Sequence, residues 1–313
     1  MALIPLWLLV LALLAAAAAQ GLAREVWLAD LVALSRNLVV LAALGLLAAC
    51  LVTRRLWLVL AAGLALAVNV ALLFNANAGL RPADGVAPAQ APLTVATYNV
   101  GWEDAAFEPF AAWARRDGPE VIALAELSDG WRQRLPELVD AYPYRASRRL
   151  EGDIRQDVLS RSPIRDAAAY RPVPSRSAVA ASVETLAGPL EVVVLDPPKP
   201  KSQAEWRARN AYLALAAQWA SQRGAGRPAV VTGVWYVTPW SPTFRDTLTA
   251  AGVASVQSLS LPLAGPGALG RVGALVAQPL DHLAVTPTVA TGGCALGPDL
   301  GGEHRPLLCR LRP

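Results

Sequence analysis

The sequence contains few of the residues that build metal sites and basic surfaces. Among 313 residues there are only three cysteines and two histidines, and no two cysteines are closely spaced. A zinc module requires such a spacing, so the sequence excludes one. Lysine occurs only twice, as Lys199 and Lys201 in one short segment. Proteins dedicated to nucleic acid usually concentrate basic residues on one face, so the net charge of +4 does not indicate a polyanion-binding surface.

Charge is also scarce in the first quarter of the chain. Overall, 54% of residues are hydrophobic and 17% are charged, and the mean hydropathy is +0.37. This balance is too apolar for one water-soluble domain and too charged for a wholly membrane-buried protein, so it predicts a membrane segment followed by a soluble domain. Only six charged residues fall within residues 1–80: Arg24, Glu25, Asp30, Arg36, Arg54 and Arg55.

Three apolar runs lie in this region, at Leu3 to Ala19, Leu38 to Val52 and Leu56 to Phe74. A helix that spans a membrane needs about 20 mostly apolar residues. The first and third runs satisfy this length, and the second does so by extending back through residues 31–34. We therefore expect three transmembrane helices. The first run could instead be a cleaved signal peptide, but it lacks the basic start of such peptides, which favours a retained helix.

The basic pair Arg54–Arg55 separates the second and third runs. The positive-inside rule places this pair in the cytoplasm and the C-terminal domain on the other side of the cell membrane. Residues 75–92 are rich in Ala, Pro, Gly and Asn without an apolar period, which is typical of a linker. The predicted organisation is a membrane anchor over 1–74, a linker over 75–92 and a soluble domain over 93–313.

Cys294 and Cys309 lie fifteen positions apart near the C-terminus. In an extracytoplasmic domain they could form a disulfide, which requires Cα atoms closer than about 7 Å. Two small buried hydrophobic residues are the alternative interpretation.

The order of predicted elements after residue 92 indicates an α/β domain. Leu93–Val100 reads as a strand, Phe107–Arg116 as a helix, Val121–Ala125 as a strand and Trp131–Ala141 as a helix. About 220 residues in this order predict two sheets with outer helices. The later predicted elements are strands at 158–160, 178–183, 190–195, 229–233, 280–286 and 306–311, and helices at 202–222 and 241–251.

Polar residues with useful chemistry follow several of these strands. Asn99 and Glu126 end two of them, and the chain's only histidines occur in the pairs Asp281–His282 and Glu303–His304. Strand ends are where ligands bind in α/β proteins. An imidazole oriented by a carboxylate can take a proton from water, and a carboxylate can hold Mg²⁺ against phosphate. The pattern therefore favours hydrolytic chemistry at this edge of the domain.

Six motifs follow one another along the soluble domain: TYNVG at 97–101, VIALAE at 121–126, LSRSPI at 159–164, TPWSPTFRDTLTAAG at 238–252, PLDHLAV at 279–285 and GGEHRPLL at 301–308. In this order they resemble the endonuclease/exonuclease/phosphatase family. The resemblance covers residues 93–313 and is greatest to bacterial members with a three-helix membrane anchor. It implies a deoxyribonuclease I-like α/β/β/α sandwich after three transmembrane helices, and Mg²⁺-dependent phosphodiester or phosphomonoester hydrolysis.

The resemblance also implies roles for individual residues. Asn99 would bind phosphate, and Glu126 would be the carboxylate that holds Mg²⁺ or Mn²⁺. His304 would be the general base, oriented by Asp281. Glu303 stands where the family usually has an aspartate, so it is a candidate for both catalysis and metal binding.

Other positions depart from the family pattern. The family's Gly-Asp-Phe-Asn segment appears here as residues 233–236, with Val234 in place of the carboxylate and Tyr236 in place of the amide. Asp196 replaces a histidine that contacts the scissile phosphate, and Ala125 replaces a glutamine. Removing one central electrostatic group costs roughly 10²–10³ in rate, and an anion at position 196 is expected to repel phosphate.

The sequence leaves two functions open. One is an active metal-dependent phosphoesterase, and the other is a membrane-tethered pseudoenzyme that keeps the fold for binding or for a protein partner. A metal site rearranged around Asp196 and Glu126 is a third interpretation. We expect the ligand to be a phosphoester small molecule or a phospholipid head group rather than nucleic acid, since an extracytoplasmic location argues against genomic DNA repair.

Overall fold

The computed structural model describes residues 3–75, 93–152, 154–186, 188–256 and 278–313. The contacts between residues divide the chain into two units. The first, called the helical unit, contains residues 3–75 and Val237–Arg245. The second, called the sheet unit, contains the other described residues. Apart from Asn75, the predicted linker lies outside the described residues.

The helical unit contains two helices that are long and apolar enough to cross a membrane, Ile4–Leu22 and Leu56–Asn75. A third span would exist only if Trp27–Leu34 and Arg36–Val52 formed one, and these helices are bent by 72° at their junction. Three spans are therefore not established. The helices are α1 (Ile4–Ala18, continued by a 3₁₀ turn at Ala19–Leu22), α2 (Trp27–Leu34), α3 (Arg36–Val52) and α4 (Leu56–Asn75).

The bend lies beside a buried arginine. The Arg36 guanidinium donates to Asn69 Oδ1 at 2.8 Å and to Gln20 Oε1 at 2.5 Å. A charged group inside an apolar helix bundle is costly unless it is hydrogen-bonded, and these partners meet that need. Arg36 thereby connects the start of α3 with α4 through Asn69 and with the turn after α1 through Gln20.

The segment Val237–Arg245 belongs to the helical unit through specific contacts. Ser241 Oγ donates to Asp30 Oδ1 at 2.7 Å, and Gln20 Nε2 donates to the Trp240 carbonyl at 2.8 Å. Asp30 is buried, and the Ser241 hydroxyl therefore supplies its carboxylate with a hydrogen-bond donor.

The sheet unit contains two six-stranded sheets. The first has the order β11-β12-β1-β2-β4-β3 and the second has the order β5-β6-β7-β8-β10-β9. The first six strands are β1 (Leu93–Asn99), β2 (Val121–Ala125), β3 (Tyr144–Arg145), β4 (Asp157–Ser160), β5 (Ile164–Val173) and β6 (Arg176–Thr185). The others are β7 (Gly188–Leu195), β8 (Ala229–Val234), β9 (Ala254–Ser255), β10 (Asp281–Val285), β11 (Ala290–Leu296) and β12 (Leu307–Arg312).

The two sheets pack against each other through one apolar core. Val95 and Val121 of the first sheet share this core with Val192, Val230 and Leu283 of the second. Within each sheet one pair of neighbouring strands is parallel, β1 with β2 and β7 with β8. Each pair is joined by a helix, as a parallel connection requires. These helices are α5 (Phe107–Asp117) and α7 (Gln203–Arg223); the remaining ones are α6 (Asp129–Arg134) and α8 (Pro242–Ala251).

The outer side of the first sheet carries a second core, in which Phe110 and Trp131 pack near Ile122. On the second sheet α7 contacts β5, β6 and β7. Two mixed sheets with outer helices are consistent with the α/β/β/α sandwich that the sequence predicts.

Of the two interpretations left open for the C-terminal cysteines, the structure shows the disulfide. Cys294 and Cys309 are directly paired across β11 and β12, with Cα atoms 4.1 Å apart, and they form a disulfide.

Some local predictions were wrong. The helix predicted over Trp131–Ala141 ends at Arg134 and continues only as a 3₁₀ turn, Leu135–Leu138, because Pro136 lacks the amide hydrogen that an α-helix needs. The sequence analysis also missed strands β3, β5, β9 and β11. In β5 and β11 most residues are exposed or half-buried, and β11 contains two glycines, so neither shows an apolar alternation.

Candidate active site

The parallel strands bring the candidate residues to one end of each sheet. Asn99 ends β1 beside Ala125 of β2, so Glu126 follows at the same edge. In the second sheet Leu195 pairs with Gly233, which places Asp196 and Val234 at the corresponding edge. The antiparallel strand β10 begins there as well, because its first residue, Asp281, pairs with Val234.

Three of the predicted residues form a hydrogen-bonded row. His304 Nδ1 lies 2.6 Å from Asp281 Oδ2, and His304 Nε2 lies 3.3 Å from Asn99 Nδ2. The row is self-consistent for a neutral imidazole that donates from Nδ1 and accepts at Nε2. Asn99 is itself fixed, since its Oδ1 accepts from the Gly101 amide at 2.9 Å.

The surroundings of His304 favour its protonated form. Burial by itself lowers the pKa of this imidazole, but the Asp281 carboxylate and its hydrogen bond raise it more, so the pKa lies above the ordinary value of 6.5. The charges of Glu126 and Glu303 act in the same direction. His304 is therefore suited to hold a proton near neutral pH.

Glu126, the predicted metal ligand, accepts a hydrogen bond from a residue of the opposite sheet. The Tyr236 hydroxyl donates to Glu126 Oε1 at 2.5 Å. Both side chains are buried, and both backbones are left-handed, with φ of 57° and 51°. Burial, followed by the charge of Glu126, raises the pKa of the Tyr236 phenol above its usual value. The phenol therefore remains a donor over the whole physiological pH range.

Further contacts hold Tyr236 in this position. The buried Arg209 donates from Nη1 to the Tyr236 carbonyl at 2.9 Å, and Lys199 Nζ lies 5.7 Å from the centre of the phenol ring. Nearby, Gly233 has φ of 114°, and a Cβ there would lie 2.2 Å from the Leu195 carbonyl oxygen. Only glycine fits this close approach of β7 and β8.

Asp196 is fully buried and has its own partners. Gln156 Nε2 donates to Asp196 Oδ2 at 2.9 Å, and Arg176 Nη1 lies 3.4 Å from the same oxygen. Burial raises the pKa of Asp196 to about 7, with Arg176 opposing the shift and Glu126 adding to it. At neutral pH the carboxyl therefore carries less than a full negative charge on average, which would reduce the repulsion of phosphate that the sequence analysis expects.

The remaining candidates lie apart from this row. Glu303 is exposed, and it influences His304 through its charge. His282 is buried on the opposite side of β10 from Asp281, with its ring centre 5.1 Å from that of Trp235. Val234 is part of the apolar core between the sheets. The pair Asp281–His282 therefore contributes its acid to the hydrogen-bonded row, and the pair Glu303–His304 contributes its histidine.

The arrangement does not fit a divalent cation as it stands. No group of three or more His, Cys, Asp or Glu side chains suited to a metal ion occurs in the part of the chain that the structure describes. One oxygen of Glu126 accepts from Tyr236, and the amide oxygen of Asn99 accepts from Gly101. A hard cation needs several free oxygen ligands. Here Glu126 Oε1 and Asn99 Oδ1 already accept hydrogen bonds from other groups of the protein.

Three residues that matter here were missed by the sequence analysis. Gln156 and Arg176 contact Asp196, and Arg209 holds Tyr236. Arg209 lies in the middle of α7, and the other two lie before β4 and at the start of β6. None carries a local sequence signal, because each is brought to the site by the fold.

Comparisons with known proteins agree with this fold. Residues 96–304 match the model of the "Endonuclease/Exonuclease/phosphatase family". A family protein from Beutenbergia cavernae superimposes with a TM-score of 0.56 at 18% identity, covering 70% of this chain and 71% of that one. The 3′ phosphatase NExo from Neisseria, solved with a product DNA hairpin, gives a TM-score of 0.58 at 13% identity over 71% of this chain and 100% of the other.

A third solved structure, a family protein from Bacteroides vulgatus, gives a TM-score of 0.54 at 15% identity and covers 70% of this chain and 98% of that one. At these identities the likeness concerns the fold alone. No curated protein matches the sequence.

Proposed function

Because the chain belongs to the endonuclease/exonuclease/phosphatase family, we propose that it is a membrane-anchored member whose phosphoester hydrolysis is impaired. The observation that carries this proposal is the hydrogen bond from Tyr236 to Glu126. The carboxylate that would hold a metal ion is buried and capped by a phenol. If the protein is active, Mg²⁺ or Mn²⁺ is its expected cofactor, but metal binding would first require Glu126 to exchange its partner.

The residues for proton transfer are retained. His304 Nε2 can accept a proton, and Asp281 keeps the imidazole in the required tautomer through Nδ1. Two of the groups by which the family positions a nucleophile and contacts phosphate are replaced, because Val234 is apolar and Asp196 is buried with internal partners. The base therefore lacks the carboxylate that would position a nucleophile beside it, and catalysis of phosphoryl transfer depends on such positioning.

A non-catalytic binding domain is the second candidate function. It is favoured because both acids that could bind a metal, Glu126 and Asp196, already have internal hydrogen-bond donors. In either case we propose a phosphoester small molecule or a phospholipid head group as the ligand class, in keeping with a membrane anchor.

The proposed location is the cell membrane with the sheet unit outside the cytoplasm. Helix α4 follows the Arg54–Arg55 turn and would lead to the side opposite these arginines, whether two or three helices span the membrane. The Cys294–Cys309 disulfide supports this placement, since disulfides persist in oxidising compartments. Reporter enzymes fused after residue 90 should be active only on the outer side, and activity in the cytoplasm would overturn the orientation.

The catalytic proposal is tested by restoring the family groups. The triple variant Val234→Asp, Tyr236→Asn, Asp196→His, prepared as the full chain in detergent, should hydrolyse a generic aryl phosphodiester with Mg²⁺ at least ~10²-fold faster than the wild type. The matched control is Tyr144→Phe, which alters a tyrosine outside the site. The wild type should show little or no turnover.

Two results would contradict the proposal. One is robust wild-type turnover that is abolished by His304→Ala. The other is a folded triple variant that binds Mg²⁺ yet remains inactive, which would favour the non-catalytic alternative.

A further inference from the structure

A cavity of about 370 Å³, here called the bulge cleft, opens on the first sheet. Its floor is formed by β11, β12 and β1, and its wall is the end of α5 with the segment that joins α5 to β2. Thr94 lines the cleft near the start of β1, and Asn99 of the His304 row ends the same strand, roughly 16 Å away at about 3.3 Å per residue. The cleft is therefore distinct from the candidate active site.

A β-bulge shapes the floor of the bulge cleft. The pairing of β11 with β12 shifts its register between Thr291 and Cys294. Two residues, Gly292 and Gly293, therefore face the single residue Arg310 of β12. Glycines have no side chain to fill the space above the strand, so a ligand can approach the backbone closely here. Arg310 consequently borders open space at the floor of the cleft.

The bulge cleft brings together unpaired charges of opposite sign. Arg310 is exposed and has no acidic partner within 4 Å in the part of the chain that the structure describes. Its neighbour on β1 is Thr94, whose amide donates to Glu120 Oε2 at 2.8 Å. Asp117 adds a second acid to the wall, where it pairs with the exposed Arg116 at 2.6 Å. A cation and a carboxylate thus line one cavity without pairing with each other.

The wall that carries the two acids is held in place by hydrogen bonds. The Tyr142 hydroxyl donates to the Pro119 carbonyl at 2.7 Å, and the Arg161 amide donates to the Glu120 carbonyl at 3.0 Å. At Gly118 a Cβ would lie 2.4 Å from the Tyr142 hydroxyl oxygen, so the wall packs closely against this ring. A site that is already ordered loses less entropy when a ligand binds.

We propose that the bulge cleft binds a small zwitterion of the amino-acid type, with one carboxylate and one ammonium group. The guanidinium of Arg310 suits a carboxylate, which it can hold through two parallel hydrogen bonds. The carboxylate of Glu120 suits the ammonium group, and Pro119 and Leu308 offer apolar surface for the body of the ligand. The cavity volume lies within the roughly 300–1,000 Å³ range of small-molecule sites.

This inference goes beyond the proposed function, because it concerns another ligand class and residues that take no part in the His304 row. Free amino acids and short peptides share the required chemistry. They differ in the distance between the ammonium and the carboxylate, so one ligand of each kind is needed to tell them apart.

The test titrates the full chain in a non-ionic detergent with L-alanine and with L-alanyl-L-alanine, and ligand-observed NMR measures the binding. Wild-type protein should bind at least one of these zwitterions. N-acetyl-L-alanine lacks the ammonium group and L-alaninamide lacks the carboxylate. Each should bind at least about tenfold more weakly than L-alanine or the dipeptide, whichever binds better, because one charge-assisted hydrogen bond is lost.

Two variants remove the opposite charges of the cleft separately. Arg310→Gln removes the cation, and Glu120→Gln removes the anion while keeping an oxygen that can accept from the Thr94 amide. Each should weaken binding of the better zwitterion at least about tenfold. Arg312→Gln is the matched control, because Arg312 is an exposed arginine of the same strand outside the cleft, and it should leave the affinity unchanged. The midpoint of thermal unfolding checks that each variant is folded.

Several results would overturn the proposal. Absence of wild-type binding to both zwitterions would do so, as would N-acetyl-L-alanine binding as tightly as the better zwitterion. Unchanged affinity in folded Arg310→Gln would exclude the arginine as the carboxylate partner. Competition by phenyl phosphate would show a general anion site, which the acids of the wall argue against.

The two zwitterions also assign the size of the ligand. Tighter binding of L-alanine would identify a free amino acid, whose two charges lie close together. Tighter binding of L-alanyl-L-alanine would identify a short peptide, whose charged ends lie farther apart.

Discussion

The Tyr236 hydroxyl donates a hydrogen bond of 2.5 Å to the Glu126 carboxylate, and the two residues belong to different sheets. Each follows a strand, and each has a left-handed backbone, a conformation that costs energy for residues other than glycine. This contact therefore joins the segments that follow β2 and β8, and it occupies one of the two carboxylate oxygens that a metal ion could use.

Removal of this hydroxyl should destabilise the protein. In Tyr236→Phe the buried Glu126 loses its donor, so we expect the free energy of unfolding to fall by about 1–3 kcal/mol. Urea denaturation of the full chain in detergent measures this change. Tyr144→Phe is the control, because Tyr144 is 39% exposed. Equal stability of Tyr236→Phe and the wild type would mean that the hydrogen bond contributes nothing.

Asp196 should make stability depend on pH. Its pKa is raised from 3.8 to about 7 by burial, so the folded protein retains a proton that the unfolded chain releases. Its contribution to stability is fully present below about pH 4 and is lost as pH rises towards 7. Asp196→Asn should flatten the pH dependence of the unfolding midpoint over this window. A slope unchanged by the substitution would contradict the shift.

The pKa of His304 should depend on Asp281. In the wild type the carboxylate raises this pKa above 6.5 against the effect of burial. In Asp281→Asn burial should dominate, and the pKa should fall below that of the wild type. The chain has only two histidines, so NMR titration of the imidazole protons can follow His304 directly, with His282→Gln identifying the other signal. A pKa that stays the same in Asp281→Asn would show that another group sets it.

The disulfide should contribute substantially to the stability of the sheet unit. It closes a loop with a sequence separation of 15, and the chain-entropy model predicts a contribution of about 3 kcal/mol for such a loop. The double variant Cys294→Ser, Cys309→Ser should unfold at a lower temperature than the wild type. Cys50→Ala keeps the disulfide and serves as the control. A reducing agent should lower the midpoint of Cys50→Ala and leave that of the double variant unchanged.

The sequence predicted best those elements whose sequence signal is independent of their neighbours. Strands β1, β2 and β8 are almost entirely buried, so they appear as continuous apolar runs. Strand β5 has mostly exposed or half-buried residues and lacks such a run. The motif comparison located the substitution at Tyr236, but its bond to Glu126 depends on how two sheets face each other over a separation of 110 residues.

The same distinction applies to the site. Asp281 and His304 are 23 positions apart and were paired correctly by family resemblance. The raised pKa of Asp196 was not predicted, because it follows from complete burial, with the charge of Glu126 adding to the shift and Arg176 and Gln156 opposing it. The charge of a buried side chain depends on its surroundings in the fold, so the sequence alone does not predict it.

The disulfide also has a consequence for His304. Residues 294–309 form a covalently closed ring, and His304 lies on it. A protease that cut the chain once within this ring would leave the final strand attached to its neighbour. In a reducing compartment the ring opens, and the segment that carries the histidine is then restrained by non-covalent contacts alone, among them the strand pairing of β11 and β12 and the hydrogen bond of His304 with Asp281. The geometry of the proton acceptor is thereby linked to the oxidation state of its surroundings.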